Sequence, residues 1–89
     1  MSAKMQEKVT INGTEYTFQK VLPREWLRMR DRCKNKHGQP IEEKLYDEVL
    51  KHIVVSPKKT LDDFTDVAEM EAVVEAAVRF QRGVTDDEE

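Results

Sequence analysis

The spacing of apolar positions changes once along this chain, from alternation to a helical period, and the change separates two kinds of element. From Val9 to Phe18 the positions alternate around Asn12-Gly13. Those two residues tolerate the positive φ that a two-residue hairpin turn requires, so the pattern predicts two antiparallel strands with Ile11 opposite Thr14 and Val9 opposite Tyr16. Val9, Ile11, Tyr16 and Phe18 then share one face, and Lys8, Thr10, Glu15 and Thr17 the other. An isolated two-stranded ribbon is marginal in water, which requires the aromatic face to lie on helices or on a partner.

After Pro23 the period becomes helical. Proline suits a first helical position because its missing N–H has no helical partner there anyway, and Trp26, Met29 and Cys33 follow at helical spacing with Leu27 at the flank. His37-Gly38 is the predicted end of this helix, and Pro40 the predicted start of the next. Over residues 40–55, Ile41, Leu45, Val49 and Ile53 recur every four residues with Tyr46 and Leu50 beside them, a broad stripe for the middle of one small core. The helix is expected to weaken at Ile53-Val54-Val55, before Pro57 and a loop.

Thr60 and Asp63 have capping-box spacing for a short helical turn anchored by Leu61 and Phe64. Asp66 and Glu69 repeat that signal ahead of a long helix. Its stripe of Val67, Met70, Val73, Val74, Ala77, Val78 and Phe80 is wide enough to touch two neighbours, with Arg79 and Arg82 in the last turn and Gly83 as C-cap. The expected fold is mainly α: an N-terminal two-stranded β-hairpin packed on a small bundle of three main helices plus a short helical turn. One domain covers 8–83, between a flexible start at 1–7 and a flexible acidic tail at 84–89.

Composition narrows the setting. In 89 residues, 38% are hydrophobic and 37% charged, enough apolar surface for one small core and enough charge to leave the ends unburied. The net charge of −3 conceals an asymmetry: residues 20–37 carry seven basic side chains against two acids, and residues 66–89 eight acids against two arginines. The two regions either attract one another or offer opposite faces to partners. A single cysteine excludes an internal disulfide, and the N-terminal residues lack the apolar run of a signal peptide, so a cytoplasmic protein with no membrane association is expected.

Candidate chemistry is sparse. Cys33, His37 and His52 match no familiar metal-ligand spacing, and Asp62, Asp63 and Asp66 lack the central glycine and alternating oxygen ligands of a calcium loop. No catalytic, cofactor-binding or metal-binding residue is assigned, and an enzyme is not expected. Arg24, Arg28 and Arg32 stand four apart on one helical face, with Lys36 continuing the row. Such a row suits phosphates, an acidic protein surface or solvent alike. A helix-turn-helix reader is disfavoured, because the charges precede the join and the helix after it is not basic.

Several segments together resemble the small tail assembly chaperones of long-tailed bacteriophages and related prophages. They are Tyr16-Thr-Phe18 after the Asn12-Gly13 turn, Pro23 and Trp26 opening a basic helix, Val54-Val-Ser-Pro-Lys58, Leu61-Asp-Asp-Phe64, and Phe80-Gln-Arg-Gly83. The resemblance implies a protein of the bacterial cytoplasm that binds and solubilises the tape measure protein and helps recruit tail tube subunits, with self-association open. On that expectation Trp26, Met29, Met70 and Val74 are the candidate client contacts, with Arg24, Arg28 and Arg32 steering acidic segments. The competing expectations are a small nucleic-acid-binding regulator using residues 24–36 and a structural subunit of a phage-like particle.

Overall fold

The computed structural model describes residues 5–83. Strands β1 (Gln6–Ile11) and β2 (Thr14–Gln19) form the hairpin, with Asn12 at φ 53° and Gly13 at φ 82° in the turn. The register is the expected one, Ile11 opposite Thr14 and Val9 opposite Tyr16. Tyr16 and Phe18 are fully buried, while Val9 and Ile11 pack at the margin of the core. Gln6 and Glu7 already belong to β1, so pairing begins two residues before the expected start of the domain; residues 1–4 and 84–89 lie outside the described part.

A third strand was not expected. Helix α2 (Glu42–His52) stops before the β-branched run, and β3 (Val54–Ser56) pairs antiparallel with β2. Ile53, Val54 and Val55 fit a pleated surface better than a helix interior, and β2 offers them an open edge. Phe18 opposes Val54, Thr17 opposes Ser56, and a bulge between Thr17 and Phe18 absorbs the mismatch. The sheet order is β1-β2-β3.

Helix α1 (Pro23–Arg32) is also shorter than its apolar spacing predicted, ending five residues before His37-Gly38. Asn35 provides the reason. Its Oδ1 accepts from the amides of His37 at 2.8 Å and Gln39 at 3.0 Å, and its own amide donates to the Gln39 carbonyl at 2.8 Å. This local turn competes with continued helix. Pro40 forms a bridge with Lys34 instead of opening α2.

The short turn and the last helix occur where expected. A 3₁₀ turn covers Leu61–Asp63, and the Thr60 amide donates to the Asp63 carboxylate at 2.8 Å. Leu61 and Phe64 pack on the core. Helix α3 (Val67–Arg82) is N-capped by Asp66, which accepts from the Ala68 amide at 3.1 Å, and ends at Gly83 in the left-handed conformation, φ 78°. Val67 leaves the predicted stripe and is 64% exposed. The core is formed by Tyr16 and Phe18 of the sheet, Met29 of α1, Val49, Leu50, Ile53 and Val54 around the end of α2, and Val73, Val74 and Ala77 of α3.

Candidate protein-binding groove

Helix α3 separates two unlike surfaces. On the sheet side its contacts are closed by polar ties as well as packing. Glu69 accepts from the Tyr16 hydroxyl at 3.0 Å and from Asn12 Nδ2 at 3.2 Å. It therefore joins α3 to the hairpin instead of completing the expected capping box. Those two hydrogen bonds, that from Asn12 first, hold its carboxyl below the usual range. Phe80 packs against Phe18 with ring centroids 6.2 Å apart. In the last turn, the Gln81 side chain accepts from the Val21 amide at 2.8 Å and donates to the Val21 carbonyl at 2.9 Å.

On the other side α3 meets α2 and α1 along an open crease. Trp26, Leu45, Tyr46 and Val78 are half-buried there, touching the core without being covered by it. Two adjoining hollows share Leu45 and Val78 in their walls. One, of about 300 Å³, is completed by Tyr46, Val74, Glu75 and Arg79. The other, of about 280 Å³, is completed by Trp26, Arg30 and Arg82. Together they make an apolar groove with charged rims, the geometry into which an amphipathic helix lays its apolar face.

The candidate contact residues do not gather into one surface. Trp26 lies in the groove wall. Met29 is fully buried and Val74 is 2% exposed, so both are core residues, Val74 forming only the groove floor. Their positions face the centre of the bundle, where α1 and α3 meet the sheet and α2. Met70 is half-buried near the start of α3 and does not line the groove. Arg24 and Arg28 are exposed on α1. Arg32 is bound within the fold, 2.8 Å from Glu48 and 3.7 Å from Glu25, which reduces the free part of the proposed steering row to two arginines.

Apart from Trp26 and Val74, the groove is lined by residues that are not among the candidate contacts: Leu45, Tyr46 and Val78, with Arg30, Glu75, Arg79 and Arg82 as its charges. Their sequence signal is the width of the α3 stripe, which exceeds what one packed neighbour requires. Leu45 and Tyr46 are the matching positions on α2. The sequence indicates that these faces meet, but not that a third surface is missing from their junction.

Other polar groups mainly support the fold. Lys58 Nζ donates to the carbonyls of Lys51 at 2.7 Å and Val54 at 3.2 Å, satisfying the end of α2. Lys59 lies 5.0 Å from the Phe64 ring centroid and reaches the Tyr16 hydroxyl at 3.3 Å. These two lysines, engaged in this way, border a hollow of about 490 Å³ together with Asp47, Glu48, Leu50, Lys51 and Thr60. Cys33 is buried; desolvation, with Glu48 adding to it, pushes its thiol above the ordinary value and favours the protonated form. Glu48 is held below the usual carboxylate range chiefly by its hydrogen bond from Arg32, and lies 3.2 Å from His52 Nε2. Among the described residues, no three His, Cys, Asp or Glu side chains are placed to share a metal ion, and no helix is long and apolar enough to cross a membrane.

No protein-family model, curated protein or solved structure matches the chain.

Proposed function

We propose that this chain is a non-enzymatic, helix-binding chaperone, and that its client is the tape measure protein of a long phage tail, as the resemblance of its motifs to tail assembly chaperones implies. The observation that carries the reading is the uncovered groove of Trp26, Leu45, Tyr46 and Val78. A long helical client exposes many amphipathic segments before tube subunits enclose it. A small domain with one shallow groove binds each segment modestly, and many copies along one client keep it soluble through their combined occupancy. The same arrangement holds the client extended while tail tube subunits arrive.

The test is coexpression with the protein encoded by the longest neighbouring gene. A soluble complex with several copies of this chain per client supports the reading, especially if Leu45→Gln abolishes co-purification while the variant still melts cooperatively. A long protein that neither binds nor gains solubility removes the tape measure assignment. Charge reversal at Arg24, Arg28 and Arg32 addresses steering separately: unchanged binding at low salt shows that this row has no part in it.

A further inference from the structure

The two ends of the groove differ in charge. At the Trp26 end, Arg30 from α1 and Arg82 from α3 share one hollow. Neither arginine has an ion-pair partner among the described acids. At the Tyr46 end the wall carries Glu75, with Glu71 one turn earlier on the same face of α3 and Glu42 one turn before Tyr46 on α2. Burial raises the Tyr46 hydroxyl pKa most, and Glu42, Glu71 and Glu75 raise it further, consistent with acids surrounding that end. Arg79 lines the same hollow as Glu75, one cation among the three acids around Tyr46.

Helix dipoles account for some of these charges singly. Arg30 and Arg82 suit the last turns of their helices, and Glu42 suits a first turn. Glu71 and Glu75 lie inside α3, beyond the reach of that explanation. The fold gathers three acids against one arginine at the Tyr46 end and two arginines at the other, with half-buried apolar side chains between them.

We propose that the groove is electrically polarised and admits its client helix in one direction, with an acidic segment of the client against Arg30 and Arg82 and a basic segment against Glu71 and Glu75. This rests on the helix-binding reading above and specifies the client: an amphipathic helix whose acids and bases are segregated towards opposite ends of its apolar stripe. Each contact is partly solvated and individually small, so the expected preference for a segregated over a mixed charge pattern is about tenfold in affinity.

The probes are two helical peptides of about five turns with the same composition and leucine stripe. One carries its glutamates at one end and its lysines at the other; the second has them interspersed. Trp26 is the only tryptophan of the chain, so its fluorescence reports from one end of the groove. The segregated peptide is expected to bind about tenfold tighter. A nitroxide on its acidic end is expected to quench Trp26, and one on its basic end to leave it bright. In a variant carrying Arg30→Glu, Arg82→Glu, Glu71→Lys and Glu75→Lys, checked for fold by circular dichroism, the quenching label is expected to switch ends.

Binding with equal affinity for both peptides, or equal quenching from both labels, overturns the polarity and leaves the groove intact. No binding of either peptide, by calorimetry as well as fluorescence, overturns the groove reading itself and the polarity with it. The labels on the unmodified protein decide the matter even if the fourfold variant does not fold.

Discussion

The two sides of α3 bury similar kinds of side chain, yet only one is finished. Towards the sheet, Phe80 meets the fully buried Phe18, and Glu69 and Gln81 add hydrogen bonds to Tyr16, Asn12 and Val21. Towards α1 and α2, Trp26, Leu45, Tyr46 and Val78 remain half-buried, and the charges nearby stand at the rims. Directional bonds across a seam fix its geometry and leave little for a partner to gain. An apolar seam without them keeps area that another helix can still remove from water, at about 25 cal/mol per Å².

The largest effect should come from breaking the finished side. Phe18→Ala leaves a cavity beneath the sheet and is expected to cost about 3–5 kcal/mol in denaturant melts, enough to unfold much of a small domain. Leu45→Gln sharpens the contrast: it should cost about 1–2 kcal/mol of stability but reduce client-helix binding to background by calorimetry. Gln81→Ala removes both bonds to the Val21 backbone and is expected to lower stability by about 1–2 kcal/mol.

Acid sensitivity should reveal the tie at Glu69. Its folded pKa lies below its unfolded value, so the stability it contributes is present above the unfolded pKa and is lost as pH falls through the folded one. The melting temperature of the unmodified protein should therefore drop more between about pH 5 and about pH 3 than that of Glu69→Gln. Glu48, depressed by Arg32, contributes loss of the same sign in both proteins and cancels in the comparison. The smallest effect is expected for Arg32→Ala. Its side chain is 47% exposed, and exposed ion pairs add little, so its melt should nearly overlay the unmodified protein's.

The hairpin was legible because Asn12-Gly13 allows few alternatives, and its register then followed from alternation. The capped start of α3 and its glycine end were legible for similarly local reasons. The third strand was not, since Ile53-Val54-Val55 continues the helical stripe of α2 as readily as it forms an extended run; pairing with β2 decides between them. Asn35 ended α1 early through bonds to residues that propensity treats separately. For the groove, the sequence identified apolar faces but not their coverage. It therefore drew attention to Met29 and Val74, which the core consumes, and passed over Leu45, Tyr46 and Val78, which it does not. Glu69 had the spacing of a cap residue, and only the folded hairpin revealed its other partners.

The Gln81 clasp on Val21 has a kinetic consequence. The Val21 amide lies two residues before α1, and its hydrogen is held by a side chain from the turn of α3 that also carries Arg82 into the groove. Solvent exchange at that single amide requires the Gln81 side chain to release it, loosening the tie between the last turn of α3 and the approach to α1. The exchange rate at Val21 is therefore a local clock for the clasp that holds the Arg82 turn beside the groove.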